Sequence, residues 1–436
     1  MNNNKITSFM GGGRKNCINI LSNLSTQLVI AYITLTIPLG TILILFDKAP
    51  SRNDFNEHWA RARQVAAFQL MASPDPAGTG NYGAVHTDGS FVPFNNTAIN
   101  SPFVYLPSMF GMGHLRLSSF FTLLFSVICV SLSIILSKKY CSVVFGAALL
   151  PSFFLSSIYP TADAVSNAFA FLWIAYILYM TQENRTPLKS IVACTVLAFF
   201  LGQIKATCIC LLLLLALPVI QNYRNNKWID YRFVAPLSAG IISAFIWMHA
   251  ISKIPPSAVT TIEQYSIAKQ DVLQSPGKVL TSLFVTLFNP IDLTSDPYDT
   301  GRNIQFFTGA EQTQLPLATM APILFAFAMI ILLNSGKVHL FAASQRFVII
   351  LTVIIYYALT CIGLIVSWGG IALGSYASGI QSRYFIPVII RAALCMPNLK
   401  ISTLESRFVK IFISALILWS YTGLLLAHLL VFPWQS

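Results

Sequence analysis

Four places in the 436-residue chain gather side chains that can hold charge or move protons. The stretch "SRNDFNEHWARARQV", residues 51–65, sets Asp54, Glu57, His58 and Arg61 at helical spacing, so carboxylates, an imidazole and a guanidinium share one face, which Val65 and Phe68 continue. Such a set suits proton transfer and the holding of an anion. Its structural alternatives are a capping pair of Asp54 with Glu57 and a solvated charged face. Asp163 follows Pro160 in "SSIYPTADAVSN", Lys205 sits in "LGQIKATCIC", and Arg383 in "GIQSRYFIPVII". Each of these three stands at the edge of a long apolar run, where ionisable groups are costly and usually functional. Singly, Asp163 also reads as a helix cap and the two cations as groups snorkelling to lipid headgroups. Four harmless features on one side are much harder to accept than one.

The elements that must position these groups are apolar. Hydrophobic residues make up 55% of the chain and charged ones 10%, far below the roughly 25% charge of a soluble domain. Runs long enough to cross a hydrocarbon core recur at 28–46, 118–136, 142–158, 164–181, 189–204, 206–221, 233–251, 316–333, 347–367, 384–399 and 410–431. They are continuous and not alternating, which predicts an all-α polytopic membrane protein of about eleven spans and excludes an outer-membrane barrel. Residues 1–27 read as a basic flank and not as a cleavable leader.

With the N-terminus inside and the spans alternating, the inner segments hold 16 of the 27 basic residues, among them Lys138, Arg232 and Arg391, and three of the 15 acidic ones. That asymmetry follows the positive-inside rule, so the excess of +12 reports topology and not nucleic-acid binding. The chain reads as one integral membrane domain, 1–436, with large outer loops at 47–117 and 252–315. The first carries the amphipathic helix, then an irregular Gly- and Pro-rich stretch, then the interfacial "INSPFVYLPSMFGMG". In the second, "SPGKVLTSLFVTLF" is apolar but too short to span and predicts a re-entrant or interfacial helix. The eight cysteines fall in the inner tail or in the spans, with no disulfide framework and no metal-ligand spacing.

The ordered series of motifs resembles a family of uncharacterised bacterial multi-pass proteins, itself similar to the GT-C superfamily of membrane glycosyltransferases. The series is an acid, His and Arg in the first outer loop, "YLP" before span two, an Asp in the next outer turn, a Lys between spans five and six, and a late "QSRYFIP". Where that family often carries an adjacent Asp-Glu pair four and three residues before the His, this chain has Asp54 and Phe55, with Glu at 57. Asp54 is therefore the match.

The resemblance implies sugar transfer from a polyprenyl-phosphate donor to a glycan acceptor, lipopolysaccharide O-antigen or a cell-wall polymer, at the periplasmic face of the inner membrane. Asp54 would be the catalytic base. Asp163 and Glu57 would orient the acceptor or a metal, and Arg383, Lys205, Arg61 and His58 would hold the donor phosphate. Trp59, Tyr105 and Tyr384 would line the substrate groove. A divalent cation, Mg or Mn, is compatible with Asp54 and Asp163, though no ligand spacing demands one. Two other classes compete: a transporter or flippase of a lipid-linked saccharide, and a polymerase or ligase of surface polysaccharide. Paired broken helices in repeated halves, common in transporters, are missing from the sequence.

Overall fold

The computed structural model describes residues 23–46, 54–86, 88–183, 186–257, 260–288, 317–333, 341–368, 372–377, 379–396 and 407–431. Expectations placed on the inner tail with Cys17, on residues 51–53 and on the second half of the 252–315 loop lie outside them. Among the described residues, seven helices are long and apolar enough to cross a membrane: Leu24–Phe46, Leu115–Leu136, Ala162–Gln182, Ala206–Asn226, Tyr231–Ala250, Ala343–Trp368 and Arg407–Leu430.

In chain order the helices are α1 (Leu24–Phe46), α2 (Phe55–Ala66), α3 (Leu115–Leu136), α4 (Cys141–Ala148), α5 (Pro151–Ser156), α6 (Ala162–Gln182) and α7 (Leu188–Leu201). A ten-residue 3₁₀ segment, Ala206–Leu215, then runs into α8 (Ala216–Asn226). α9 (Val234–Ala250), α10 (Ile262–Gln274), α11 (Pro276–Phe288), α12 (Leu317–Leu332), α13 (Ala343–Trp368), α14 (Ile386–Cys395) and α15 (Arg407–Leu426) follow.

Four of the eleven expected spans fall on shorter pieces. The 142–158 run is broken into α4 and α5 because Pro151 has no N–H to continue a helix and starts the second piece instead. The 189–204, 316–333 and 384–399 runs correspond to α7, α12 and α14. α11 packs beside α13, where the Tyr357 hydroxyl donates to the Leu283 carbonyl at 2.8 Å.

α6 is buried on nearly every side, as a helix apolar all round should be. The helices around it alternate in direction, so their connections collect at two ends. At one end Lys138 pairs with Glu183 at 2.5 Å, the Gln182 amide donates to the Ser137 carbonyl, and Arg232 donates to the Thr186 carbonyl at 2.9 Å. At the other end lie His58, Asp163, Lys205 and Arg383. Arg391, counted with the cations of the first end, is instead buried inside the bundle. It donates to the Thr352 and Pro387 carbonyls at 2.8 and 2.9 Å, with its guanidinium over the Tyr356 ring.

The stretch after α2, expected to be irregular, folds into a three-stranded antiparallel meander: β1 (Ser73–Pro74), β2 (Tyr82–Val85) and β3 (Phe91–Pro93). Its Gly and Asp residues shape turns instead of disorder. Gly78, Gly80 and Gly89 take positive φ, and the Asp75 and Asp88 carboxylates accept from the backbone two residues on. α2 also ends earlier than its spacing implied. Phe68 lies beyond it in the left-handed region, at φ 60°, and is exposed.

Candidate functional site

α2 is held down by the loop that follows it. Arg61 is fully buried and donates to the Leu70 and Asn100 carbonyls at 2.7 and 3.3 Å and to the Gln64 side chain. Burial pushes its pKa down to about 10. This guanidinium shapes the loop and does not line the cavity described below. Trp59, expected in the substrate groove, packs against the core instead.

The capping reading of Asp54 and Glu57 does not hold: Asp54 sits at the N-cap without a side-chain cap bond. Both carboxylates turn to Asn96. Its backbone N–H donates to Glu57 Oε2 at 2.7 Å, and its side-chain amide donates to Glu57 Oε1 and Asp54 Oδ1, each at 3.2 Å. Burial raises the Glu57 pKa, the Asn96 N–H opposes that rise, and the Asp54 charge adds to it.

His58 faces the mouth of α6. Its Nδ1 lies 2.7 Å from the Tyr105 hydroxyl and 3.4 Å from the Ala162 N–H, while the Tyr105 oxygen accepts from Asn100 at 3.2 Å. With Asn100 donating to it, the Tyr105 O–H is directed at Nδ1, so the imidazole proton belongs on Nε2. Burial, opposed by the Asp163 charge and aided by those of Arg383 and Lys205, carries the His58 pKa down to about 3, so the ring is neutral. Tyr105 was expected to line a groove; it positions the imidazole.

Asp163 lies in the first turn of α6, but Thr161 caps that helix by accepting from the Ala164 N–H at 3.3 Å, so the aspartate is not spent on capping. Its two carboxylate oxygens meet two cations from distant parts of the chain. Lys205, just before the 3₁₀ segment, takes Oδ1, and Arg383 Nε donates to Oδ2 at 2.6 Å. The Tyr384 ring braces both, 4.1 Å from the lysine ammonium and 5.6 Å from the guanidinium. Asn167, one turn deeper in α6, donates to the Arg383 carbonyl at 3.0 Å and fixes where that chain crosses.

These groups open on one cavity of about 330 Å³, lined by Asp54, His58, Asp163, Lys205, Arg383 and Tyr384 together with Asn96, Asn100 and apolar residues of α9 and α13. Residues far apart in sequence therefore converge at one end of the bundle. Asn96, Asn100, Gln203 and Trp247 carried no sequence signal beyond their polarity. Gln203 accepts from Ser101 at 3.0 Å and donates to the Ser243 carbonyl at 2.9 Å, and Trp247 donates to the Ile99 carbonyl, so both moor the first loop to α9. Gly202 lets that mooring close, because a Cβ there would meet the Gly240 carbonyl oxygen at 2.5 Å.

A divalent ion shared by Asp54 and Asp163 does not fit this arrangement. Both Asp163 oxygens are engaged by cations, and among the described residues no three His, Cys, Asp or Glu side chains group to hold a metal. The cavity can bind an anion beside Lys205 and Arg383 and accept a proton at Asp54.

Residues 76–392 match the model of a family described as "Predicted membrane protein (DUF2142)". The match takes in Tyr105, Asp163, Lys205, Arg383 and Tyr384, while α2 precedes it. No curated protein and no solved structure matches the chain.

Proposed function

The chain belongs to that membrane-protein family, and on this premise we propose that it is a GT-C-like glycosyltransferase of the bacterial inner membrane. In this reading about eleven apolar segments cross or enter the bilayer, the N-terminus is inside, and the cavity faces the periplasm. A sugar moves from a polyprenyl-phosphate donor to an acceptor on a surface glycan, O-antigen or cell-wall polymer. The observation that carries the reading is the convergence of Asp54, His58 and the Lys205–Asp163–Arg383 cluster on one cavity with an apolar wall.

Asp54 accepts the proton of the acceptor hydroxyl as that oxygen attacks the anomeric carbon. The bond from that carbon to the phosphate oxygen breaks on the opposite face, inverting the centre, and the electron pair leaves with the lipid phosphate. The charge that grows on the phosphate is met by Lys205 and Arg383. Asp163 is a positioning residue, holding the two cations at fixed places and lowering their mutual repulsion. Neutral His58 offers its Nε2–H as a donor to the sugar or the phosphate. Asn96 keeps Asp54 and Glu57 aimed together.

The reading is tested with the purified full chain in lipid vesicles, supplied with a radiolabelled polyprenyl-phosphate sugar and a membrane glycan extract. Transfer by the wild type that disappears in Asp54→Asn is the expected result. Transport of the intact donor across the vesicle without bond cleavage would replace transfer by the flippase reading.

A further inference from the structure

The apolar wall of the cavity has a geometry of its own. Ala244, Trp247 and Met248 share one face of α9, at i, i+3 and i+4, and Thr360, Gly363 and Leu364 share one face of α13 at the same spacing. Both helices pack on the 3₁₀ segment that lies between them, so the two faces stand as the walls of a cleft with Lys205 at its head. Gly363 is exposed in this wall, and among the described residues a Cβ there would meet nothing within 4 Å. The outer flank of α9 exposes Ile241, Ile242 and Phe245, so the cleft runs out onto an apolar surface suited to lipid.

We propose that this cleft takes the isoprenoid tail of the lipid phosphate whose headgroup meets Lys205 and Arg383, and that Gly363 sets its width. The inference rests on the lipid-phosphate reading of the same site. A glycine in mid-helix costs helix stability relative to alanine, and here no close neighbour among the described residues requires it. What it provides is room between α9 and α13. A tail lying there keeps its methylenes out of water while the phosphate reaches the cations, which fixes the reacting bond against Asp54.

The test uses the full chain in phosphatidylcholine nanodiscs and a long-chain isoprenyl phosphate carrying a diazirine in its tail, with labelled peptides mapped by mass spectrometry. Label is expected in 244–251 and 360–367. It should fall roughly tenfold or more when the cleft is filled by Gly363→Leu, or narrowed from the other wall by Met248→Trp, with melting unchanged. Met248 is exposed, so that second variant keeps the test available if the first fails to fold. Unchanged labelling in both variants, or label confined to the Ile242 and Phe245 flank, overturns the inference. Tail labelling by a wild type that transfers no sugar overturns the transfer reading and leaves the cleft standing. Sugar transfer with undiminished labelling in both variants does the reverse.

Discussion

Asp163 and Asp230 both stand at the start of a helical segment with basic partners in reach, at opposite ends of the bundle. Asp230 is served locally. Its side chain is 1% exposed, and it accepts from the backbone and side chain of Arg232, two residues on, an arginine that is 42% exposed. Asp163 makes no such local arrangement. Its side chain is 3% exposed and its partners come from 42 and 220 residues away, with Lys205 at 27% and Arg383 at 19% exposure. A local pair forms as soon as its own turn forms, and here only the arginine side of it is open to water. A buried triad forms only when α6, the 3₁₀ segment and the turn before α14 are all in place. The desolvation it incurs has to be offset by its geometry. That contrast separates a residue that caps its own turn from one whose partners only the finished fold supplies.

The most severe way to break the contrast is Asp163→Asn. It leaves Lys205 and Arg383 facing each other across a neutral amide, and should cost roughly 3 kcal/mol or more in stability. Transfer should be lost with it. Asp230→Asn keeps an acceptor for the Arg232 N–H and leaves that arginine open to water, so it should cost about 1 kcal/mol or less. Thermal melting of both variants in one detergent makes the comparison, and equal losses would dissolve it. Asp54→Asn comes next. Since Asp54 makes no cap bond, melting should hold while turnover falls about 10²–10⁴-fold.

Acid gives the third effect. The unfolded chain binds a proton on His58 near its ordinary pKa of about 6.5, whereas the folded site binds one only near 3. The unfolded state therefore holds more protons between those values. The stability contributed by the neutral imidazole is fully present above about 6.5 and is lost as pH falls toward 3. Melting followed from pH 7 to pH 4 should show this slope, flattened in His58→Gln. Arg383→Lys keeps the charge but loses the planar Nε contact to Asp163, so donor KM should rise about tenfold. The corresponding Arg232→Lys should be silent in the same kinetics. Smallest of all, Lys138→Ala removes an exposed pair at the far end and should change melting by about 1 kcal/mol or less, with normal transfer.

Much of the site was legible because charge is conspicuous in an apolar chain. Asp163, Lys205 and Arg383 each stood at the edge of a run, and counting runs placed them on one side. The helical spacing of Asp54, Glu57 and His58 was equally visible, and α2 forms where it was expected. The same rule misread Arg61 and Arg391, whose guanidiniums donate to backbone carbonyls in the interior. Spacing shows that a cation is present and not which oxygen it will find. Asn96, Asn100 and Gln203 were illegible for the opposite reason. A neutral amide carries no penalty that marks it, and its value appears only once the loop has folded against α2 and α9. The meander after α2 was missed because Gly, Pro and Asp look alike in a loop and in the turns of a short sheet.

The 3₁₀ winding below Lys205 acts as a ruler. A 3₁₀ segment rises about 2.0 Å per residue against about 1.5 Å for an α-helix. Over the ten residues Ala206–Leu215 the chain therefore reaches about 5 Å farther than α winding would allow. With α8 as the anchored end, that extra length carries the lysine up to Asp163. Rewound as an α-helix, the same residues would stop short of the carboxylate by more than the reach of an ion pair, and would turn Thr207 and Ile209 off the cavity wall they now form. The electrostatics at one end of the bundle are thus set by the pitch of an apolar stretch that carries no charge.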